Sequence, residues 1–251
     1  MTEDNSGVPT GTPTRRAALT LLQAVLWRRQ SLEAALPRAL RKLDAGPDRG
    51  LARNIASLTL RWLVDLDDLI DGATDRRLPD EAPARMVLRL ALAQALILNT
   101  PAHAAVATAL PLVEGGPRRL VHAVLGRLLR EGARLPDHPT LPDSWATRWT
   151  AIWGEPVVAA AERALAAAPP LDLICRDPAA ADDLRAAMGD EAISLLPTHI
   201  RLPAGTRVEV LPGFAEGRFW VQDIAAALPA RLLAPAKSAR VLDMAAAPGG
   251  K

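Results

Sequence analysis

"VLDMAAAPGGK", residues 241–251, changes character in its middle. Val241, Leu242, Asp243 and Met244 read as the end of a buried strand, and Ala245, Ala246, Ala247, Pro248, Gly249 and Gly250 as a tight loop closed by Lys251. A strand feeding a loop of small residues has the layout of a first βα turn in a doubly wound fold, where ligands sit beyond the carboxyl end of the strand. Small residues let the backbone come close to a ligand, and Gly249 and Gly250 can take positive φ at little cost. A Walker A loop would need Gly six residues before the Lys, where this chain has Ala245, and the dinucleotide pattern G-x-G-x-x-G is absent. The loop suits a ligand held by backbone donors and acceptors better than one held by a phosphate cradle.

Upstream, from Thr14 to about Arg134, the text reads as a string of helices. In "TRRAALTLLQAVLWRRQ", Ala18, Leu21, Leu22, Val25 and Leu26 form one apolar stripe, with Thr14 placed to cap it. "SLEAALPRALRKL" reads as helix broken at Pro37, and "DRGLARNIASLTLRWLVDLDDLIDG" as one helix ending at Gly72. "EAPARMVLRLALAQALILN" is apolar nearly all round and predicts the central buried helix. "AHAAVATALPLVE" and "PRRLVHAVLGRLLREG" complete the helical set. Pro136, Pro139 and Pro142 then mark an extended linker.

Beyond the linker, "SWATRWTAIWGEPVVAAAERALAAA" reads as a second helical stretch. After Pro169-Pro170 the period shortens: "LDLICR", "HIRLP", "RVEVLPG" and "ARVLDM" read as strands, "PAAADDLRAAMG" as a helix, and "FWVQDIAAALPARLLA" as strand or turn into helix. Alternating strands and helices predict an α/β domain.

The chain holds 251 residues, 49% hydrophobic and 23% charged, an ordinary balance for a protein with a packed core. The single Cys175 excludes an intrachain disulfide, and the N-terminal "MTEDNSGVPTGTPT" lacks the basic and apolar regions of a secretion signal. No apolar run approaches the roughly eighteen residues of a membrane span, so the expectation is a cytoplasmic chain without a membrane partner. Net charge is +2 but uneven: residues 1–135 carry 19 Lys and Arg against 14 Asp and Glu, residues 136–251 carry 11 against 14. The more basic half suits a polyanion, and equally suits arginines that solvate helix surfaces.

"LDMAAAPGGK" resembles the first cofactor motif of the RNA cytosine carbon-5 methyltransferases, usually written D-x-C-A-A-P-G-G-K; Ala245 stands where that family has Cys. "LPGFAEGRFWVQDIAAALPARLL" is similar to the family's stretch ending in Gln-Asp, here Gln222 and Asp223, and "PPLDLICRD" to its small RNA-binding subdomain. "PDRGLARNIASLTLRWL" and the region from Arg85 to Glu131 look like the NusB antitermination fold, with His122 and Gly126 in place of the usual Asn and Arg. A NusB-like domain ahead of such an enzyme is the arrangement of the RsmB (Sun, Fmu) branch.

The resemblance implies a multidomain chain, an all-α NusB-like domain followed by an incomplete Rossmann-like α/β methyltransferase domain. Its divisions are a disordered tail over 1–13, the helical RNA-binding domain over 14–135, a linker over 136–143, a helical connector and small α/β subdomain over 144–220, and the start of the methyltransferase domain over 221–251. It implies S-adenosyl-L-methionine as cofactor, held by Ala245, Ala246, Ala247, Pro248, Gly249, Gly250 and Lys251, and small-subunit ribosomal RNA as partner of a monomer. The implied reaction is formation of 5-methylcytosine, with Gln222 and Asp223 near the cofactor or Asp223 capping a helix. Both cysteines that the family uses lie after the first cofactor motif, so no catalytic residue is expected within these 251 residues. The alternative is a non-enzymatic RNA-binding or antitermination-like module.

Other residues carry simpler expectations. Cys175 reads as a small core residue. His103, His122, His138 and His199 have no metal-ligand spacing, and no metal is expected. The pairs Arg15-Arg16, Arg28-Arg29, Arg76-Arg77 and Arg118-Arg119 are candidate phosphate contacts or solvated faces. Trp145, Trp149 and Trp153 share one helical stripe, read as core packing in preference to base stacking.

Overall fold

The structure, a computed structural model, describes residues 9–44, 46–244 and 246. The chain divides into two compact units, Met1–Ala166 and Ala167–Lys251, a later division than the proline-spaced segment suggests.

In the first unit the helices follow one another as α1 (Thr12–Leu26), α2 (Leu32–Ala39), α3 (Pro47–Arg61), α4 (Leu63–Gly72), α5 (Pro83–Leu96), α6 (Ala102–Ala109), α7 (Gly115–Arg130), α8 (Asp143–Trp153) and α9 (Glu155–Ala166). The nearly all-apolar stretch is the centre: every residue of α5 from Ala84 to Gln94 is buried, and α1, α3, α4, α6 and α7 pack around it. A helix apolar on all sides can be stable only with neighbours on all sides.

Several boundaries differ from those read in the sequence. The first helix starts at Thr12 behind Gly11, whose φ of 86° turns the chain, because Pro13 fits a first turn that needs no N–H. Thr14 is therefore inside the helix, buried, and its Oγ1 donates to Asp48 Oδ1 at 3.0 Å. Pro37 does not break α2; it lies on the exposed side of a short helix, where solvent can take the carbonyl that proline leaves unpaired. What reads as one helix over 48–72 is two, because Trp62 (φ −100°, ψ 22°) leaves helical geometry as its ring enters the core. Gly154 at φ 81° likewise separates α8 from α9.

The proline-spaced segment is extended but not loose. Asp65, buried in α4, accepts from Thr140 Oγ1 at 2.6 Å and from Thr140 N–H at 3.0 Å, and Glu162 of α9 accepts from Leu141 N–H at 3.2 Å.

The second unit holds a three-stranded antiparallel sheet in the order β2-β1-β3, made of β1 (Leu171–Cys175), β2 (His199–Leu202) and β3 (Phe219–Val221). Register places Asp172 opposite Arg201 and Ile174 opposite both His199 and Trp220. Leu173 and Cys175 turn to one face with Ile200, Leu202 and Phe219 and pack on α10 (Pro178–Met188) through Ala181 and Leu184. Asp172 and Ile174 turn to the opposite face by the two-residue period of a strand. Beyond β3 the chain enters α11 (Ile224–Leu233), capped by Asp223 Oδ1, which accepts from Ala225 N–H at 2.7 Å.

Two expected strands do not form. "RVEVLPG" contains a single 3-10 turn over Val208–Val210, bracketed by glycines in turn geometry at Gly205 (φ 85°) and Gly213 (φ 90°), and its hydrogen bonds are local. "ARVLDM" is exposed and irregular, with Leu242 83% and Met244 92% accessible. A central strand takes its order from neighbours on both sides, and among the described residues none pairs with this run.

Candidate nucleic-acid interface and cofactor loop

Of the loop expected to bind the cofactor, Ala246 alone is among the described residues, and it is exposed. Ala245, Ala247, Pro248, Gly249, Gly250 and Lys251 lie outside them. Ala246 offers a backbone donor and acceptor beside only a methyl side chain.

Gln222 is held by the sheet it follows, and Asp223 by the helix it begins. Gln222 N–H donates to Asp172 O at 3.1 Å, and its Oε1 accepts from Trp220 Nε1 at 3.0 Å. Asp223 is the N-cap of α11, so its carboxylate organises that helix start.

Asp172 organises this turn, which the sequence reading did not single out. The Arg201 guanidinium forks across it, Nε to Oδ1 at 2.7 Å and Nη2 to Oδ2 at 2.9 Å. Ile224 N–H donates to Oδ2 at 3.0 Å, and His199 Nε2 stands 3.3 Å from Oδ1. His199 Nδ1 accepts from Leu195 N–H at 3.3 Å. The Arg201 hydrogen bond outweighs burial and holds the Asp172 carboxyl down at about 2. Alternation of apolar and polar residues along "LDLICRD" and "HIRLP" is the signal that could have found the pair.

Arginine pairs separate into buried and open members. Arg15 is half-buried, with Nε donating to Gln94 Oε1 at 2.6 Å, and burial lowers its pKa against the pull of Asp48. Arg77 is paired with Asp71 and Asp80 at 3.3 and 3.0 Å. Arg28, Arg29, Arg76, Arg118 and Arg119 are exposed. Arg16 is exposed too, with Nη2 donating to Pro111 O at 3.1 Å, and borders a cleft shared with Arg38, Arg41 and Lys42, which no acid among the described residues lines. Sequence reasoning named Arg16 alone; the others arrive because α2 returns along α1.

The remaining expectations part ways. Cys175 is buried, and burial raises its thiol pKa, as for an inert core residue. His103, His122 and His138 are exposed. The tryptophan stripe is not core: α8 contains no buried residue, Trp145 and Trp153 are 51% and 57% accessible, and the three rings meet edge to face at 6.0 and 5.7 Å. Helical spacing correctly put them on one face, but spacing alone does not reveal whether a partner element covers it.

Residues 12–130, the segment from α1 to α7, match the NusB family. This segment is similar to the NusB family over its whole length. The chain as a whole is similar to "Ribosomal RNA small subunit methyltransferase B" of Xanthomonas campestris pv. campestris, 33% identical over 252 residues, covering 96% of this chain and 58% of that protein. The protein of the same name from Pseudomonas putida is 35% identical, covering 94% and 58%. The chain therefore spans a little under three fifths of these relatives. The crystal structure of PH0851 superimposes with a TM-score of 0.55 at 16% identity, over 91% of this chain and 56% of that one, a likeness of fold. The cleft bordered by Arg16 lies wholly in the segment that matches the NusB family, while Asp172 and Gln222 lie outside it, in the part similar to the methyltransferases.

Proposed function

We propose that the chain is the N-terminal part of an S-adenosyl-L-methionine-dependent methyltransferase that forms 5-methylcytosine in small-subunit ribosomal RNA. The observation that carries this reading is that similarity to the methyltransferases runs through both units, over 96% of the chain, and so takes in the sheet and Gln222-Asp223. A non-enzymatic antitermination-like module would account for residues 12–130 and leave the second unit without a role.

In this reading the NusB-family domain grips RNA through Arg16, Arg38, Arg41 and Lys42, each an exposed cation able to meet a phosphate. The cofactor supplies the methyl group. Ala245 to Lys251 would hold its amino-acid end, and Asp172, by fixing the Gln222 backbone and the start of α11, orients the chain that leads toward it. The nucleophile is not Cys175, whose thiol is buried and faces α10. The enzyme would act on ribosomal RNA as a monomer in the cytoplasm, and no described helix is long and apolar enough to cross a membrane.

The test is methyl transfer from labelled S-adenosyl-L-methionine to small-subunit ribosomal RNA by the complete reading frame, with bisulfite sequencing to locate the product. Label at cytosine carbon 5 is expected with the complete protein and none with residues 1–251 alone. Label on another base, or none with the complete protein, would overturn the reading.

A further inference from the structure

Helices α8 and α9 pack together as a pair that is fixed at its base and open along its apolar stripe. Gly154, at φ 81°, turns the chain between them, and Thr140 and Leu141, just ahead of α8, are held by Asp65 and Glu162. Leu165, near the end of α9, borders a cleft that it shares with Leu60, Leu63 and Val64. Above this base no residue of α8 is buried, and Trp145, Ile152 and Trp153 are 51%, 56% and 57% accessible. Val157, in the first turn of α9, is exposed as well.

The three indoles meet edge to face at 6.0 and 5.7 Å, so they form one ridge whose shape is set before anything touches it. A ridge ordered in advance loses little freedom on association. Charge decides the chemistry of its occupant. Residues 143–166 carry two cations, Arg148 and Arg163, against three acids, Asp143, Glu155 and Glu162. That balance gives phosphates no attraction, whereas a run of large exposed apolar side chains marks contact with another protein surface. Similarity to the methyltransferases takes in α8, since it covers 94–96% of this chain, yet it reaches only 58% of those proteins. A little over two fifths of a relative's length is left to supply such a surface.

We infer that the tryptophan ridge of α8 is the docking surface for the remainder of the complete protein, the segment that follows residue 251 on the reading proposed above, through an apolar face of that segment. The inference rests on that reading and gives the helical connector a task in it: α8 ties the RNA-gripping helices to the part that carries out the transfer.

Oxidation of indoles by N-bromosuccinimide, mapped by mass spectrometry to the peptide carrying residues 143–153, tests it on the complete protein and on the 251-residue chain. An interface open in fewer than about one molecule in ten slows oxidation at least about 10-fold, and this protection of Trp145 and Trp153 is expected in the complete protein alone. Trp153→Glu puts a charge into the interface, so Trp145 of the complete variant should oxidise at the rate seen in the 251-residue chain. In the 251-residue chain the same substitution should leave helix content unchanged, because Trp153 is more than half exposed there. Equal oxidation rates in the two parent proteins would overturn the docking, as would Trp145 still protected in the complete variant. Protection of the 251-residue chain that rises with its concentration, the mark of a second copy, or protection that requires added RNA would also overturn it. A complete protein that methylates cytosine carbon 5 with the ridge unprotected overturns the docking and leaves the methyltransferase reading standing. One that protects the ridge and transfers no methyl group upholds the docking and overturns the reaction.

Discussion

Arg201 closes on Asp172 with two parallel hydrogen bonds, 2.7 and 2.9 Å, across the only pair of β1 and β2 positions where the register sets a cation opposite a carboxylate. The same carboxylate caps the start of α11 through Ile224 N–H, so one buried group joins two strands and a helix. Fork geometry of this kind is among the stronger side-chain interactions available to a protein.

An acid dependence follows. Asp172 titrates at about 2 in the folded chain against an ordinary 3.8. A folded value below the unfolded one gives stabilisation that is complete above about pH 4 and lost as pH falls toward 2, worth on the order of 2 kcal/mol. Thermal unfolding of the second unit, followed by the backbone amide signals of Leu173 and Ile200 from pH 5 to pH 2, should show this loss. In Asp172→Asn the unit should already be weaker at pH 5 and should lose less on acidification. Identical acid slopes in the two proteins would remove Asp172 as the cause.

In the first unit the corresponding polar joint is Arg85, which has no accessible surface yet lies in the buried helix α5. Its Nη1 and Nη2 reach Asp71 Oδ1 and Oδ2 at 2.6 and 3.0 Å, Nε reaches Asp67 Oδ1 at 3.1 Å, and Nη1 also donates to Leu78 O at 3.0 Å. Burial works against the charge, but these carboxylates outweigh it and raise the Arg85 pKa, while Arg85 lowers that of Asp71. Removing one partner of a buried pair costs about 3–5 kcal/mol, whereas an exposed pair is worth under about 1. Urea unfolding should therefore separate Arg85→Ala from Arg77→Ala by at least about 2 kcal/mol. Equal losses would mean that the buried network contributes no more than the surface one.

How much of this could be read beforehand depended on whether the cause was local. The apolar run of α5, the Asp223 cap and the strands at Leu171 and His199 are written in consecutive residues, and the sequence shows them. The break at Trp62 carries no Gly or Pro and arises from where the core accepts a large ring. Arg85 and Arg89 hide inside an apolar run because the carboxylates they hydrogen-bond lie 14 to 22 residues away, and the cleft at Arg16 requires α2 to fold back on α1. "ARVLDM" shows the converse: a strand signal without a paired neighbour does not make a strand.

The tether between Asp65 and Thr140 gives a third prediction. Both carboxylate oxygens are used, one on the hydroxyl and one on the backbone N–H, and Asp65 is only 6% accessible. Asp65→Ala removes both acceptors from a segment with few other anchors, at a cost of about 1–3 kcal/mol. Limited proteolysis should then cut within residues 134–142 faster than in the parent chain, with the core helix α5 still protected. An unchanged cutting rate would show that the prolines alone hold the segment.

The exposed tryptophan stripe can be weighed against true core by substitution. Trp153 is 57% accessible and meets Trp149 edge to face at 5.7 Å, so truncating it removes one aromatic contact, worth about 0.5–1.5 kcal/mol, and little buried area. Leu88 in α5 has no accessible surface, and shortening it to Ala should cost about 2–5 kcal/mol through lost burial and the cavity left behind. Urea unfolding of Trp153→Ala and Leu88→Ala is accordingly expected to place the first well below the second. A Trp153→Ala loss as large as that of Leu88→Ala would show that α8 is covered in solution and that the stripe is core after all.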